Sequence, residues 1–268
     1  VNDLLERVSA IAAAAEAADG AAPLDEATWL WLRAGLGEGE SAAVDETGFL
    51  LRRGSEVHLV VHPDHRGRGL GARRLAGVEG PAQAWSHGNH PAAARLAARF
   101  GFDRVRDLWV MRRAMSEPLP PGSGVGIRPF APGDEPELLR VNAAAFAAHP
   151  EQGALDVAGL AARMAEPWFD PAGLLVAMDG PRMLGFHWTK QHSPELGEVY
   201  VVGIDPAAQG RGLGSALTLA GLHHLAGLGV SETILYVEAD NHVARSTYAR
   251  LGFTHADTDT HVLYRRIS

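Results

Sequence analysis

The chain carries the same glycine-rich loop twice. "HPDHRGRGLG" occupies residues 62–71 and "DPAAQGRGLG" residues 205–214, so Gly69 and Gly212 match at an offset of 143 residues. A second echo follows, "LAARFGF" at 96–102 against "TYARLGF" at 247–253. Each copy then runs into an apolar strand ending in two arginines, "LWVMRR" and "HVLYRR". Such a repeat within 268 residues points to two copies of one α/β unit. Between the copies lies "SEPLPPGSGVG" (116–126), which has linker composition. The expected organisation is a first domain at 1–115, a linker at 116–126 and a second domain at 127–268.

The second copy reads element by element. "GVGIRPF" is a short strand, and Asp134 with Glu137 has capping-box spacing ahead of a helix through "LLRVNAAAF". Asp156 starts a second helix that stops before Pro167. "GLLVAMD", "MLGFHWTK" and "GEVYVVGI" make an antiparallel meander. The glycine loop opens the helix "SALTLAGLHHLAGLG", and "TILYVEA", "HVARSTYARLGF" and "HVLYRR" continue as strand, helix and strand. The first copy is terser. Leu4, Leu5, Val8 and Ile11 have helical spacing, a second helix follows, and the strands then run as in the second copy without its opening strand.

Composition narrows the function classes. The absence of cysteine excludes disulfides, thiolate metal sites and cysteine nucleophiles. A formal charge of −8 argues against a nucleic-acid partner. Any polyanion must be held locally, by backbone amides and a few arginines. No apolar run approaches the ~18 residues of a membrane span. Asp3 and Glu6 fall where a signal peptide is basic or apolar. "HGNH" (87–90) and "HH" (223–224) lack a third metal ligand at clear spacing. The expectation is a cytoplasmic, monomeric enzyme with no membrane, nucleic-acid or metal partner.

The loop's own chemistry favours an anion. It follows a strand and opens a helix, where free N–H groups and the helix dipole attract negative charge. Glycines let a phosphate approach the backbone, and successive amides form a concave nest. A tight structural turn is the plainer reading of either copy alone, and the duplication weighs against it. "GRGLGA" also satisfies the dinucleotide fingerprint, but that belongs to a parallel βαβ unit, and here an antiparallel meander precedes it. A Walker loop needs G-K-[ST], which is absent.

The run Gln209-Gly210-Arg211-Gly212-Leu213-Gly214, after an antiparallel strand and before strand, helix with "Y-x-x-x-G-F" and strand, resembles the GNAT superfamily of acetyl-CoA-dependent N-acetyltransferases. The resemblance implies two tandem α/β domains, each a mostly antiparallel mixed sheet flanked by helices. It places the pyrophosphate of coenzyme A on Gln209, Gly210, Arg211, Gly212, Leu213, Gly214 and Ser215, and the pantetheine arm along Val202, Gly203 and Ile204. Asn241, Arg245 and Ser246 join the same cofactor set. In the first copy, Arg66 opens the matching run, and Leu59, Val60, Val61, Gly67, Arg68, Gly69, Leu70, Gly71 and Ala72 correspond. Within the superfamily, "RVNAAAFAAHPEQG", "EPWFDPAGLLVA", "LGFHWTK" and "LGEVYVVGIDPAAQGRGLG" resemble the mycothiol synthases, a tandem family acetylating the cysteinyl amine of a cysteine–glucosamine–inositol conjugate. That likeness is nearly unbroken from Arg140 to Phe253 and patchier in the first half.

Acetyl transfer to an amine requires removal of a proton, donors for an oxyanion and an acid for the departing thiolate. At neutral pH roughly a tenth of an α-amine with pKa near 8 is nucleophilic. The resemblance makes Glu198 the base and Tyr248 the acid; taken alone, they read as a strand-start carboxylate and an amphipathic core tyrosine. The oxyanion donor is expected to be a strand amide near Val202, which splayed strands at a bulge would expose. By resemblance Glu151, Lys190, Tyr236 and Glu198 contact the acceptor, and Glu26 reaches it from the first half. Glu198 and Tyr248 fall on Ser55 and Ala97 in the first copy, which therefore reads as a cofactor-binding, non-catalytic fold. The rivals are another small-molecule amine as acceptor and a non-catalytic acetyl-CoA sensor; the presence of Glu198 and Tyr248 disfavours the sensor.

Overall fold

The computed structural model describes residues 2–122, 126–147 and 150–268. Its contacts divide the chain into two compact units, Val1–Trp109 with Ala256–Ser268, and Val110–His255.

In unit one, α1 (Asn2–Asp19) buries Val8, Ile11, Ala12 and Ala15, the face set by their helical spacing. Asp25 accepts the Thr28 amide at 2.8 Å and caps α2 (Glu26–Ala34). Strands β1 (Ser41–Asp45), β2 (Gly48–Arg53) and β3 (Glu56–Val61) form an antiparallel meander. The first glycine loop opens α3 (Leu70–Leu75), which has only six residues. Then follow β4 (Ala82–Ser86), parallel to β3, α4 (Pro91–Arg99) and β5 (Asp103–Ala114). Phe49 and Leu51 pack against α1 and α2 on one face, while Val57, Ala82 and Phe102 pack with Leu75 and Ala97 on the other.

Unit two contains β6 (Ile127–Pro129), α5 (Glu135–Ala145), the short α6 (Pro150–Gly153), α7 (Val157–Met164), β7 (Leu174–Asp179), β8 (Arg182–Gln191), β9 (Leu196–Ile204), α8 (Leu213–Gly227), β10 (Glu232–Glu238) and α9 (His242–Arg250). Strands β6 to β9 pair antiparallel, and β10 lies parallel to β9. The continuous apolar run of β7 reflects burial on both faces. Leu174 and Val176 meet the α5–α7 side, whereas Leu175 and Ala177 meet Leu213 and Leu217 of α8. Asp156 caps α7 through the Gly159 amide. The expected capping box at α5 does not form. Asp134 makes no cap hydrogen bond, because Arg128 (2.6 Å) and the Ala131 amide occupy its carboxylate. Glu137 is drawn instead to Arg140 and the Met183 amide.

The last strand, β11 (Thr260–Arg266), belongs to unit one, pairing antiparallel with β4 and with Asp103–Trp109 of β5. Beyond Trp109, the end of β5 belongs to unit two, where Met115 N–H donates to Ser231 O at 2.8 Å. The compact units therefore do not divide at the linker composition of 116–126: sequence similarity assigns a terminal strand to its own copy, whereas backbone pairing decides which sheet it completes. Each unit is a mostly antiparallel mixed sheet with helices on both faces. No described helix is long and apolar enough to cross a membrane.

Candidate active site

The two glycine loops have the same backbone. Gly210 and Gly212 stand at φ +78° and +77°, and Gly67 and Gly69 at +76° each, a region side chains rarely adopt. A Cβ on any of the four meets no atom within 4 Å, so it is the backbone conformation and not packing that asks for glycine there. Gly212 leads into the 15-residue α8. Its loop is anchored from below by Asp205, which accepts the Ala207 amide at 3.0 Å and pairs with Arg140 at 2.8 Å and Arg182 at 3.0 Å. Arg140 of α5 also holds Glu137 and the Met183 carbonyl. Asp205 is only 4% exposed, but its cover is guanidinium rather than apolar bulk. The Arg140 hydrogen bond, then the Ala207 amide and Arg182, hold its carboxyl well below the usual range. In the first copy His62 takes Asp205's place, and Arg66 binds Asp19 of α1 through two contacts of 2.6 and 2.8 Å.

Strand β9 parts from β10 just before this loop. The pair is in register only from Leu196↔Glu232 to Val199↔Leu235. Val202, Gly203 and Ile204 remain paired to β8 alone and present their other edge to the gap. Gly203 is required by packing, since a Cβ there would lie 2.6 Å from Phe186. The register of β9 on β8 shifts between Trp188↔Val201 and Thr189↔Val199, leaving Tyr200 as the extra residue. The bulge thus lies at Tyr200, two residues earlier than Val202, and it increases the splay that exposes backbone amides.

Glu198 sits just before the bulge and is 6% exposed. Its Oε2 lies 2.5 Å from His192 Nε2, on the turn between β8 and β9. Lys190 stands opposite it in register. The Lys190 ammonium lies over the ring of Trp168 (4.5 Å) and near that of Tyr200 (5.4 Å). Trp168 in turn packs on Trp188 and Tyr200, and its indole N–H is buried without a hydrogen-bond partner. From β10, Tyr236 is 44% exposed as a residue, yet its hydroxyl is desolvated and faces the Glu198 charge. Burial first, and that charge second, push it up to about 12. Glu198, Lys190 and Tyr236 thus lie close together.

Tyr248 lies on α9, edge-on to Phe253, and burial pushes its hydroxyl up to about 12, so it is neutral at physiological pH. The other α9 residues have local partners: Asn241 caps the helix through Ala244 N–H, Arg245 donates to Ala239 O, and Ser246 donates to His242 O. Gln209 and Arg211 are exposed, whereas Leu213 is buried in the α8 core. Glu26 is an exposed residue in the first turn of α2, in unit one. The side chain of Glu151 lies outside the described residues; its backbone belongs to α6.

Unit one has the loop without the surrounding chemistry. Strands β3 and β4 pair only at Glu56↔Gln83, and a cavity of about 200 Å³ opens there, lined by residues including His58, Leu59, Val60, Trp85, His87 and Leu96. This cavity is formed by unit-one residues and matches the gap beside the equivalent strand of unit two. Strand β3 meets β2 without a register shift. Ser55 precedes the strand, and Ala97 is buried in the α4 packing. Burial pushes His87 down to about 4 and lowers His58, leaving both neutral at physiological pH. Among the described residues no group of three or more His, Asp and Glu side chains is placed to hold a metal.

Sequence reading missed His192, Trp168, Tyr200 and the Arg140–Asp205 anchor. "EPWFDP" and "RVNAAAF" were conspicuous, but only folding brings Trp168 to Lys190 and Arg140 to Asp205.

The chain is similar to known acetyltransferases. The Acetyltransferase (GNAT) family profile matches residues 144–253. A mycothiol acetyltransferase of a Nocardioides species is 60% identical, covering 98% of each chain. One from Thermobispora bispora is 48% identical over 97% of this chain and 95% of its own. A crystal structure of a GCN5-related N-acetyltransferase from Sphaerobacter thermophilus superposes with TM-score 0.72 at 26% identity, covering 99% of this chain and 93% of its own. A tandem GNAT protein from the clavulanic acid biosynthesis pathway, at 19% identity and TM-score 0.67 over 99% of this chain and 95% of its own, shares the fold.

Proposed function

The chain belongs to the mycothiol acetyltransferases, and on that premise we propose that its second unit moves the acetyl group of acetyl-CoA to the cysteinyl amine of desacetylmycothiol, a cysteine–glucosamine–inositol conjugate. The products are mycothiol and free coenzyme A.

The observation that carries the reading is Glu198, buried where β9 leaves β10 and one short strand before an open anion loop. The pyrophosphate rests on the amides of Gly210–Gly214 and the start of α8. The pantetheine arm follows the free edge of Val202–Ile204, as an added strand does. Glu198 removes a proton from the acceptor's ammonium. The freed nitrogen attacks the acetyl carbon, and an amide beside the Tyr200 bulge stabilises the oxyanion. The carbon–sulfur bond then breaks, and Tyr248, neutral until that moment, protonates the thiolate. The nitrogen's second proton restores Tyr248.

Lys190, held between Trp168 and Tyr200, and Tyr236 face the polar groups of the acceptor, with the Trp168 N–H as a further donor. Unit one binds acetyl-CoA at its matching loop but does not turn it over, because Ser55 and Ala97 supply neither proton group and β3 has no bulge. The protein works as a monomer. The test is an acceptor panel with purified protein and acetyl-CoA, read as kcat/KM. Desacetylmycothiol should exceed aminoglycosides and lysine peptides by at least about a hundredfold, since lysine peptides lack the hydroxyls such a site hydrogen-bonds and aminoglycosides lack the cysteinyl amine it positions. A better aminoglycoside substrate would remove this acceptor assignment.

A further inference from the structure

Glu198 has a difficulty as a base. At 6% exposed, it has almost no water to which it can return the proton it accepts. The His192 ring is placed to solve this. Its Nε2 lies 2.5 Å from Glu198 Oε2, and its side chain is 34% exposed against 7% for that of Glu198. The histidine is held in place by its backbone, whose N–H donates to Leu196 O at 2.9 Å across the tight turn between β8 and β9.

From this contact we infer that His192 is a positioning residue that orients Glu198 and passes its proton to solvent. The inference rests on reading Glu198 as the base. The steps balance as follows. The acceptor ammonium gives one proton to the Glu198 carboxylate, and Glu198 hands it to the His192 ring. The imidazolium then releases it to water or buffer. The carbon–nitrogen bond forms, the carbon–sulfur bond breaks, and the second nitrogen proton returns to Tyr248. One proton per turnover reaches solvent, through His192. Imidazole suits the task because one ring nitrogen can accept a proton while the other releases one.

Other charges bear on the pair and are kept constant in the test. Lys190 lies opposite Glu198 on β8, Tyr236 faces it from β10, and Glu195 lies in the same turn. Arg112 and Glu232 form an ion pair beside Tyr236.

The experiment compares His192→Gln with His192→Ala, after thermal melts have shown both to be folded. Glutamine can hydrogen-bond to Glu198 but cannot carry a proton. Both variants should lose about ten- to a hundredfold in kcat, at or below the low end of the roughly 10²–10⁴-fold of acid–base catalysis because the base itself remains, with KM for acetyl-CoA unchanged. Their rates should become dependent on buffer-base concentration, and added imidazole should accelerate His192→Ala. Wild-type turnover by His192→Gln would overturn the inference, because hydrogen bonding alone would then suffice. Slow variants indifferent to buffer and imidazole would also overturn it. Full activity in Glu198→Gln would instead remove the reading of Glu198 as base, a separate failure.

Discussion

Replacing Gly212 and Gly69 separately by alanine makes the duplicated loop its own control. Both glycines hold nearly the same φ, +77° and +76°, and both have open space where the methyl would go. The cost to folding comes from left-handed backbone alone, about 1–2 kcal/mol in either copy. That lowers Tm by roughly 2–8 °C, and the two variants should match within a few degrees. Their effects on catalysis should differ. In Gly212→Ala the methyl occupies the hollow beside the pyrophosphate and turns the amides away from it. Losing one charge-assisted hydrogen bond of about 1.5–3 kcal/mol raises KM for acetyl-CoA about 10- to 150-fold. Gly69→Ala should keep kcat within about twofold while weakening one of two calorimetric acetyl-CoA sites by a similar factor. Steady-state kinetics, calorimetry and melting curves on the same preparations decide the matter. Equal loss of turnover in two equally stable variants would refute the division of labour between the loops.

Four further outcomes follow from particular contacts. Glu198→Gln should lower kcat about 10²- to 10⁴-fold at neutral pH, recovering in alkali as the amine, with pKa near 8, deprotonates unaided; a pH-independent loss in the rate profile would contradict this. Tyr248→Phe should slow turnover by about a hundredfold, the low end of acid–base catalysis, without changing acetyl-CoA affinity, measured by calorimetry, because the phenol acts only on the departing sulfur. Arg140 holds Glu137 at about 2, below its ordinary 4.5, so their pairing stabilises fully above pH 4.5 and is lost as pH falls toward 2; Arg140→Met should flatten that acid limb in pH-dependent melts. Removing Ala256–Ser268 takes Val262 and Leu263 from the core, about 1.5–3 kcal/mol each. Hydrogen exchange should then show lost protection in residues 41–109, and loss confined to 110–255 would contradict the assignment of β11 to unit one.

Much of each unit was legible because local chemistry and fold agree. Strand alternation, the Asp156 cap and the repeated glycine loop all specify structure within a few residues. The α5 capping box misled because Asp134 and Glu137 have the right spacing, but nearby arginines compete for both carboxylates. The placement of β11 was hidden for another reason: its sequence resembles the end of its own copy, while its partners β4 and β5 lie more than 140 residues earlier. Glu198, Lys190 and Tyr236 could be named from resemblance. His192, Trp168 and Asp205's two arginines could not be named, because their significance is a distance, and distances across strands do not appear in a linear pattern. The bulge at Tyr200 is of the same kind: one unpaired residue leaves no compositional mark.

The central claim is that acetyl transfer occurs at Glu198 and is fed by the second glycine loop. A crystal structure with coenzyme A and the acceptor bound tests it most directly. The account predicts the pyrophosphate on the amides of Gly210–Gly214, the cofactor sulfur near Tyr248 and the acceptor's cysteinyl nitrogen within hydrogen-bond reach of Glu198. An acceptor amine seated in the unit-one cavity beside His58 and His87, with the Glu198 site empty, would contradict it.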